Sequence, residues 1–85
     1  MNILVAEDDP VARQVLAAVL TAAGHKPTVA ENGSDAWDAW LLARSRVVIS
    51  DWQMPELDGL ELCRRVRQER ADGYTYFVLL TGRTG

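Results

Sequence analysis

Glu7, Asp8 and Asp51 are the side chains of this sequence best placed to do chemistry together. Glu7 and Asp8 close the apolar run Ile3-Leu4-Val5-Ala6, and Asp51 closes Val47-Val48-Ile49-Ser50. If folding brings two of these carboxylates to ~4 Å, they repel by ~4 kcal/mol at an effective dielectric of ~20. Either one takes up a proton or a cation sits between them. A small cluster of hard carboxylate oxygens favours Mg²⁺ (or Mn²⁺), which keeps several waters and also binds phosphate oxygens. The expected direct ligands are Asp8, Asp51 and the backbone carbonyl of Gln53, with Glu7 acting directly or through water. Beside such an ion, Asp51 can act as a nucleophile and form an aspartyl phosphate. Phosphoryl transfer needs charge neutralisation and in-line positioning more than covalent help. The Thr81 hydroxyl is a candidate donor to a phosphoryl oxygen. The backbone N–H groups of Trp52 and Gly82 are further candidates.

The elements around these residues read as alternating strands and helices. The run Ile3–Ala6 is continuous and apolar, as suits a strand buried on both faces of a parallel sheet. Asp9-Pro10 then reads as an N-cap followed by proline at the first helical position. Val11, Val15, Leu16, Val19 and Leu20 recur at helical spacing, and Gly24 ends that helix. Thr28-Val29-Ala30 reads as a second strand, Asn32-Gly33-Ser34 as a turn and cap. Ala36, Trp37, Trp40 and Leu41 give one face of a second helix. Val47–Asp51 is a third strand, followed by a loop broken at Pro55. Asp58-Gly59 opens a third helix, with Leu60, Cys63 and Val66 expected inward. Tyr76–Thr81 is a fourth strand. Strand–helix alternation implies right-handed βαβ units and a parallel α/β sheet. Working residues then gather beyond the carboxyl ends of the strands, at the topological switch point.

Composition sets outer bounds. The chain has 85 residues and a net charge of −3, which implies one domain over 1–85 and no basic footprint for direct nucleic-acid binding. A single cysteine, Cys63, cannot form an internal disulfide and fits a reducing compartment. No run is long enough to span a membrane and no leader is evident. The expected location is the cytoplasm.

At this point the motifs resemble a known family. Asp51-Trp52-Gln53-Met54-Pro55-Glu56-Leu57-Asp58-Gly59 is similar to the phosphoacceptor loop of response-regulator receiver domains. Ile3–Pro10 resembles their first strand and acidic pocket, and Leu79-Leu80-Thr81-Gly82 their fourth strand. The resemblance implies a flavodoxin-like doubly wound sheet of strand order 2-1-3-4, with the fourth helix, fifth strand and fifth helix of the complete fold lacking. It implies Asp51 as phosphoacceptor, Asp8 as principal metal ligand, Glu7 as second acidic-pocket residue and Thr81 as switch hydroxyl. Gln53 and Arg83 flank the site and are candidates for tuning hydrolysis. Such domains take a phosphoryl group from a sensor histidine kinase or phosphotransfer protein in a two-component system. They catalyse only their own phosphorylation and dephosphorylation, and an output domain is expected C-terminal in the parent protein. Family members carry a phosphoryl-pairing lysine on the fifth strand. Without it, poor labelling is expected of this chain, and a homodimer through the exposed fourth strand, or by exchange of elements.

Other functions fit less well. An aspartyl-phosphate phosphatase typically has a second acid two residues after its nucleophile, where this chain has Gln53, which cannot supply a proton. A flavin-binding module needs open N–H groups after the first strand, whereas Glu7-Asp8-Asp9 repels phosphate unless a metal intervenes. A truncated pseudo-receiver, acting only as an interaction or dimerisation module, is the remaining alternative. Asp9 is expected to be only an N-cap, Cys63, Trp37 and Trp40 to be packing residues, and His25 to be exposed.

Overall fold

The computed structural model describes residues 1–69 and 73–80. In chain order the elements are β1 (Asn2–Ala6), α1 (Pro10–Ala22), β2 (Lys26–Ala30), α2 (Gly33–Ala43), β3 (Val47–Asp51), α3 (Gly59–Gln68) and β4 (Tyr76–Leu80). The four described strands form one parallel sheet in the order β2-β1-β3-β4. This is the parallel α/β arrangement expected from the alternation of elements, in the doubly wound order that the resemblance implies.

Each helix starts where a short polar side chain can satisfy orphan N–H groups. Asp9 accepts from Ala12 N–H at 3.1 Å, Asn32 from Asp35 N–H at 2.7 Å and Asp58 from Glu61 N–H at 2.8 Å. Pro10 occupies the first turn of α1, where its missing N–H costs nothing. β2 begins at Lys26, earlier than expected, and so includes Pro27. It lies at the sheet edge, where a strand tolerates proline.

The core lies mainly on one side of the sheet. Leu4, Ala6 and Val48 meet Ala36 and Trp40 of α2 and Leu62 and Val66 of α3. Trp40 is fully buried, and its indole N–H donates to the Ser45 carbonyl at 3.2 Å. Trp37 is half-buried and stacks on it with centroids 5.7 Å apart. On the other side α1 has no buried residue, and Val11, Val15 and Val19 of its apolar stripe are exposed.

The rotation of α3 differs from expectation. Leu62 and Val66 are buried, Cys63 is half-buried, and Leu60 is 46% exposed. Gly59 decides this. A Cβ there would lie 2.2 Å from the Asp51 carbonyl oxygen, so position 59 faces the sheet. The residues one and two turns on, 62 and 66, then face it too, and Leu60 turns away. His25 is half-buried rather than exposed, and its Nδ1 has no hydrogen-bond partner among the described residues.

A second close approach joins α2 to the loop after β3. A Cβ at Gly33 would lie 1.7 Å from the Leu57 carbonyl oxygen. Both glycines therefore serve backbone contact rather than flexibility. Gly33→Ala and Gly59→Ala should each cost about 1–3 kcal/mol or more, the range for forcing volume into a packed site. Urea unfolding measures this, and a wild-type midpoint in either variant contradicts the packing described.

Candidate acidic site at the carboxyl edge of the sheet

The β1–β3 register pairs Val5 with Ile49 and Ala6 with Ser50. One further step along both strands brings Glu7 level with Asp51. Side chains alternate along a strand, so Glu7 and Asp51 share the α1 side of the sheet with Val5 and Ile49. Glu7 N–H donates to the Ala30 carbonyl at 3.1 Å, so β2 also fixes the end of β1.

Asp51 is buried and its backbone is held on both sides. Its carbonyl accepts from Ser50 Oγ at 2.8 Å. Next to it, Trp52 N–H donates to the Leu80 carbonyl at 3.2 Å, and the Trp52 carbonyl accepts from Gly59 N–H at 2.8 Å. The loop that follows is anchored by buried Met54 and Leu57. Between them Leu57 N–H bonds to the Pro55 carbonyl at 2.8 Å, with Glu56 at φ 70°. An i to i+2 bond around a positive-φ residue is a strained γ-turn. Gly33, whose missing side chain leaves room for the Leu57 carbonyl, lets α2 pack directly against that turn.

Glu7, Asp8 and Asp51 each offer a carboxylate oxygen within 4.8 Å of the others. At that spacing two full charges repel by roughly 3–4 kcal/mol at an effective dielectric of about 20. Burial raises the Glu7 pKa above its ordinary value. The Asp9 N–H, which donates to Glu7 Oε2 at 3.1 Å, pulls the other way, while the Asp51 charge and hydrogen bonding with Asp51 and Asp8 push it up further. Asp8 Oδ1 is buried and has no hydrogen-bond partner among the described residues. A buried carboxylate oxygen without a donor, beside two more acids, fits a hard divalent cation. An open cleft of about 600 Å³ leads to this point, with Ala12, Val15 and Leu16 of α1 on one side and Leu80 of β4 on the other.

The structure thus brings together three of the expected site residues. Gln53 lies in the exposed loop beside them, and its carbonyl accepts no hydrogen bond among the described residues. The Trp52 N–H, a candidate donor to phosphate, donates here to the Leu80 carbonyl, the bond that closes the β3–β4 ladder at its last pair, Asp51 and Leu80. Thr81, Gly82 and Arg83 lie outside the described residues. Asp9 is the N-cap of α1, as expected. Arg13 was not singled out from the sequence. Its guanidinium donates to the Glu7 carbonyl at 2.8 Å, a contact that spacing alone does not reveal.

The fold and site define a doubly wound α/β domain with an acidic pocket at the carboxyl edge of its sheet, and comparison with known proteins makes the class specific. The response regulator receiver domain matches residues 3–84, and the chain belongs to that family. It is 42% identical over 74 residues to the chemotaxis protein CheY homolog of Campylobacter jejuni, covering 82% of this chain and 55% of that protein. It is 31% identical to chemotaxis protein CheY1 of Helicobacter pylori over 100% of this chain and 70% of the relative. The solved structure of chemotaxis response regulator CheY4 of Vibrio cholerae superposes with a TM-score of 0.90 at 31% identity, over 99% of this chain and 70% of that one. The chain therefore spans about half the length of the Campylobacter relative. Receiver domains serve two-component and chemotaxis signalling and bind Mg²⁺ at an acidic pocket, and Glu7, Asp8 and Asp51 form a cluster of that kind. Among the described residues, no helix is long and apolar enough to cross a membrane.

The raised pKa of Glu7 has a definite sign in stability. An acid whose folded pKa lies above its unfolded value stabilises the fold at low pH, and that stability is lost as pH rises through the folded pKa. In EDTA, Glu7→Gln should melt above wild type at neutral pH. The two should converge below about pH 4.3, the ordinary glutamate value. Thermal melts across that window check this, and a wild type that melts higher at neutral pH removes the assignment.

Proposed function

We propose that this chain is a phosphoacceptor module that takes a phosphoryl group on Asp51 from a sensor histidine kinase or phosphotransfer protein. The observation that carries the reading is the convergence of Glu7, Asp8 and Asp51 on one buried point at the end of β3. Asp8, Asp51 and the Gln53 carbonyl would hold Mg²⁺, with Glu7 completing the site. When bound, the ion would neutralise phosphoryl oxygens beside Asp51.

The protein's own residues do the rest. An Asp51 carboxylate oxygen attacks phosphorus and forms the acyl phosphate. The bond from phosphorus to the donor histidine nitrogen breaks, and its electron pair returns to the imidazole. Water later attacks the phosphorus, freeing inorganic phosphate and restoring the carboxylate. The Ser50 and Gly59 contacts fix the Asp51 backbone, so the nucleophile is placed before the donor arrives. Thr81 follows Leu80, the register partner of Asp51. Its hydroxyl is assigned as the switch group that bonds to a phosphoryl oxygen, with the Gly82 N–H as a second donor. Gln53 and Arg83 are assigned to tuning hydrolysis.

Intact mass after incubation with acetyl phosphate and Mg²⁺ tests this. One hydroxylamine-labile phosphoryl group is expected on wild type and none on Asp51→Asn. A stable adduct on Ser50 or Thr81, or equal labelling of both proteins, contradicts it.

Assembly is part of the same proposal. β4 is an edge of the described sheet, with Tyr76 and Val78 64% and 46% exposed, and the α1 stripe across the cleft is uncovered as well. An apolar edge without charge or proline invites pairing, and two-fold closure is its commonest form. The isolated chain should therefore run as a dimer in size exclusion with light scattering. Val78→Pro should shift it to monomer, with circular dichroism confirming that it remains folded. A folded wild-type monomer at high micromolar concentration contradicts dimerisation.

A further inference from the structure

The β1–α1 turn carries Glu7 and Asp8, yet α1 contributes no buried residue to anchor it. The helix packs over the buried Ile3 and Val5 through half-buried side chains alone, so packing fixes the position of Asp8 only loosely. Arg13, one turn into α1, supplies the missing constraint. Its backbone N–H donates to the Asp9 carbonyl at 2.9 Å, as any residue there would in the first turn of a helix. Its guanidinium reaches back to the Glu7 carbonyl at 2.8 Å and extends its other arm to Glu31 Oε1 at 3.4 Å. Asp8 is thus bracketed by two carbonyls that one residue holds. The Arg13 side chain is only 16% exposed, against 72% for Glu31, so the bond to Glu7 is the sheltered one and the ion pair contributes little.

We propose that Arg13 is a positioning residue for the acidic site, holding the turn so that Asp8 and Glu7 meet Asp51. The inference rests on the reading of these three acids as a Mg²⁺ site. It is the part played around metal centres by groups that orient the ligands without touching the ion. A planar fork suits it, because two fixed donors can engage a carbonyl and a carboxylate at once, which a point-charge ammonium does less well.

Charge and position predict opposite signs, which makes the test sharp. Were Arg13 only a nearby cation, its loss would remove a repulsion and tighten Mg²⁺ binding. If it positions the turn, its loss loosens the ligand set and weakens binding. Arg13→Met keeps the aliphatic stem and removes the fork. In Mg²⁺ titrations of the full chain followed by Trp52 fluorescence, its affinity should fall about 10–100-fold. Arg13→Lys should fall between it and wild type, and Glu31→Gln should change little. Unchanged or tighter binding by Arg13→Met overturns the proposal. If that variant does not fold, Arg13→Lys decides, and wild-type affinity there overturns it equally. A metal-free readout separates this from failure of the metal site itself. In EDTA, the Glu7 amide should exchange about tenfold faster in Arg13→Met relative to the β3 amides. If wild type takes no Mg²⁺, the metal reading fails, while the Glu7 amide still decides the role of Arg13: unchanged exchange rejects it.

Discussion

Three carboxylates crowded at one end of a sheet are the constraint on which the rest of this structure depends. Left to themselves they would separate. They stay together because Glu7 and Asp51 are attached to backbone held on two sides, with Asp8 on the turn between Glu7 and the Asp9 cap. Glu7 is tied to β2 through its N–H and to α1 through its carbonyl. Asp51 is the last residue of a central strand, flanked by Ser50 on one side and by the ladder to β4 on the other. Burial, with the neighbouring acids adding to it, raises the pKa of Glu7, and one Asp8 oxygen has no hydrogen-bond partner among the described residues. A domain that spends stability in this way at one edge recovers it elsewhere, here in the layer of Leu4, Val48, Trp40 and Leu62 beneath the site.

The two glycines connect those regions. Gly59 lets α3 approach the Asp51 carbonyl, and Gly33 lets the loop rest on the start of α2. The geometry of Asp51 is therefore set by helices that pack through the core, not by the loop alone. The strained turn at Glu56 sits between these two contacts. It persists because the buried Met54 and Leu57 fix the loop on either side of it.

Much of this was legible in the sequence, for identifiable reasons. Apolar runs ending in acids marked β1 and β3, since buried parallel strands read as near-continuous apolar runs. Asp9-Pro10, Asn32 and Asp58 marked helix starts through capping chemistry alone. The inward face of α3 was misread at Leu60, because two faces of a short helix both carried apolar residues. Only a backbone approach across the sheet, at Gly59, chose between them. The bond from the Trp52 N–H to the Leu80 carbonyl was not legible, because strand pairing is not revealed by one segment. Arg13 escaped notice for a similar reason: a side chain bonding to a main-chain carbonyl leaves no spacing signature.

The lopsided core has a consequence for how the molecule opens. Asp51 is rooted in the well-packed half with α2 and α3, whereas Asp8 belongs to a turn leading into a helix with no fully buried residue. Regions with few buried contacts open locally at lower free energy than the core. The acidic pocket therefore straddles two cooperative units rather than residing in one. Whatever bridges Asp8 to Asp51 also fuses those units, so occupancy at the sheet edge and the local unfolding of α1 become linked quantities. Chemistry at a single carboxylate would then be felt along the whole length of a helix that does not touch it.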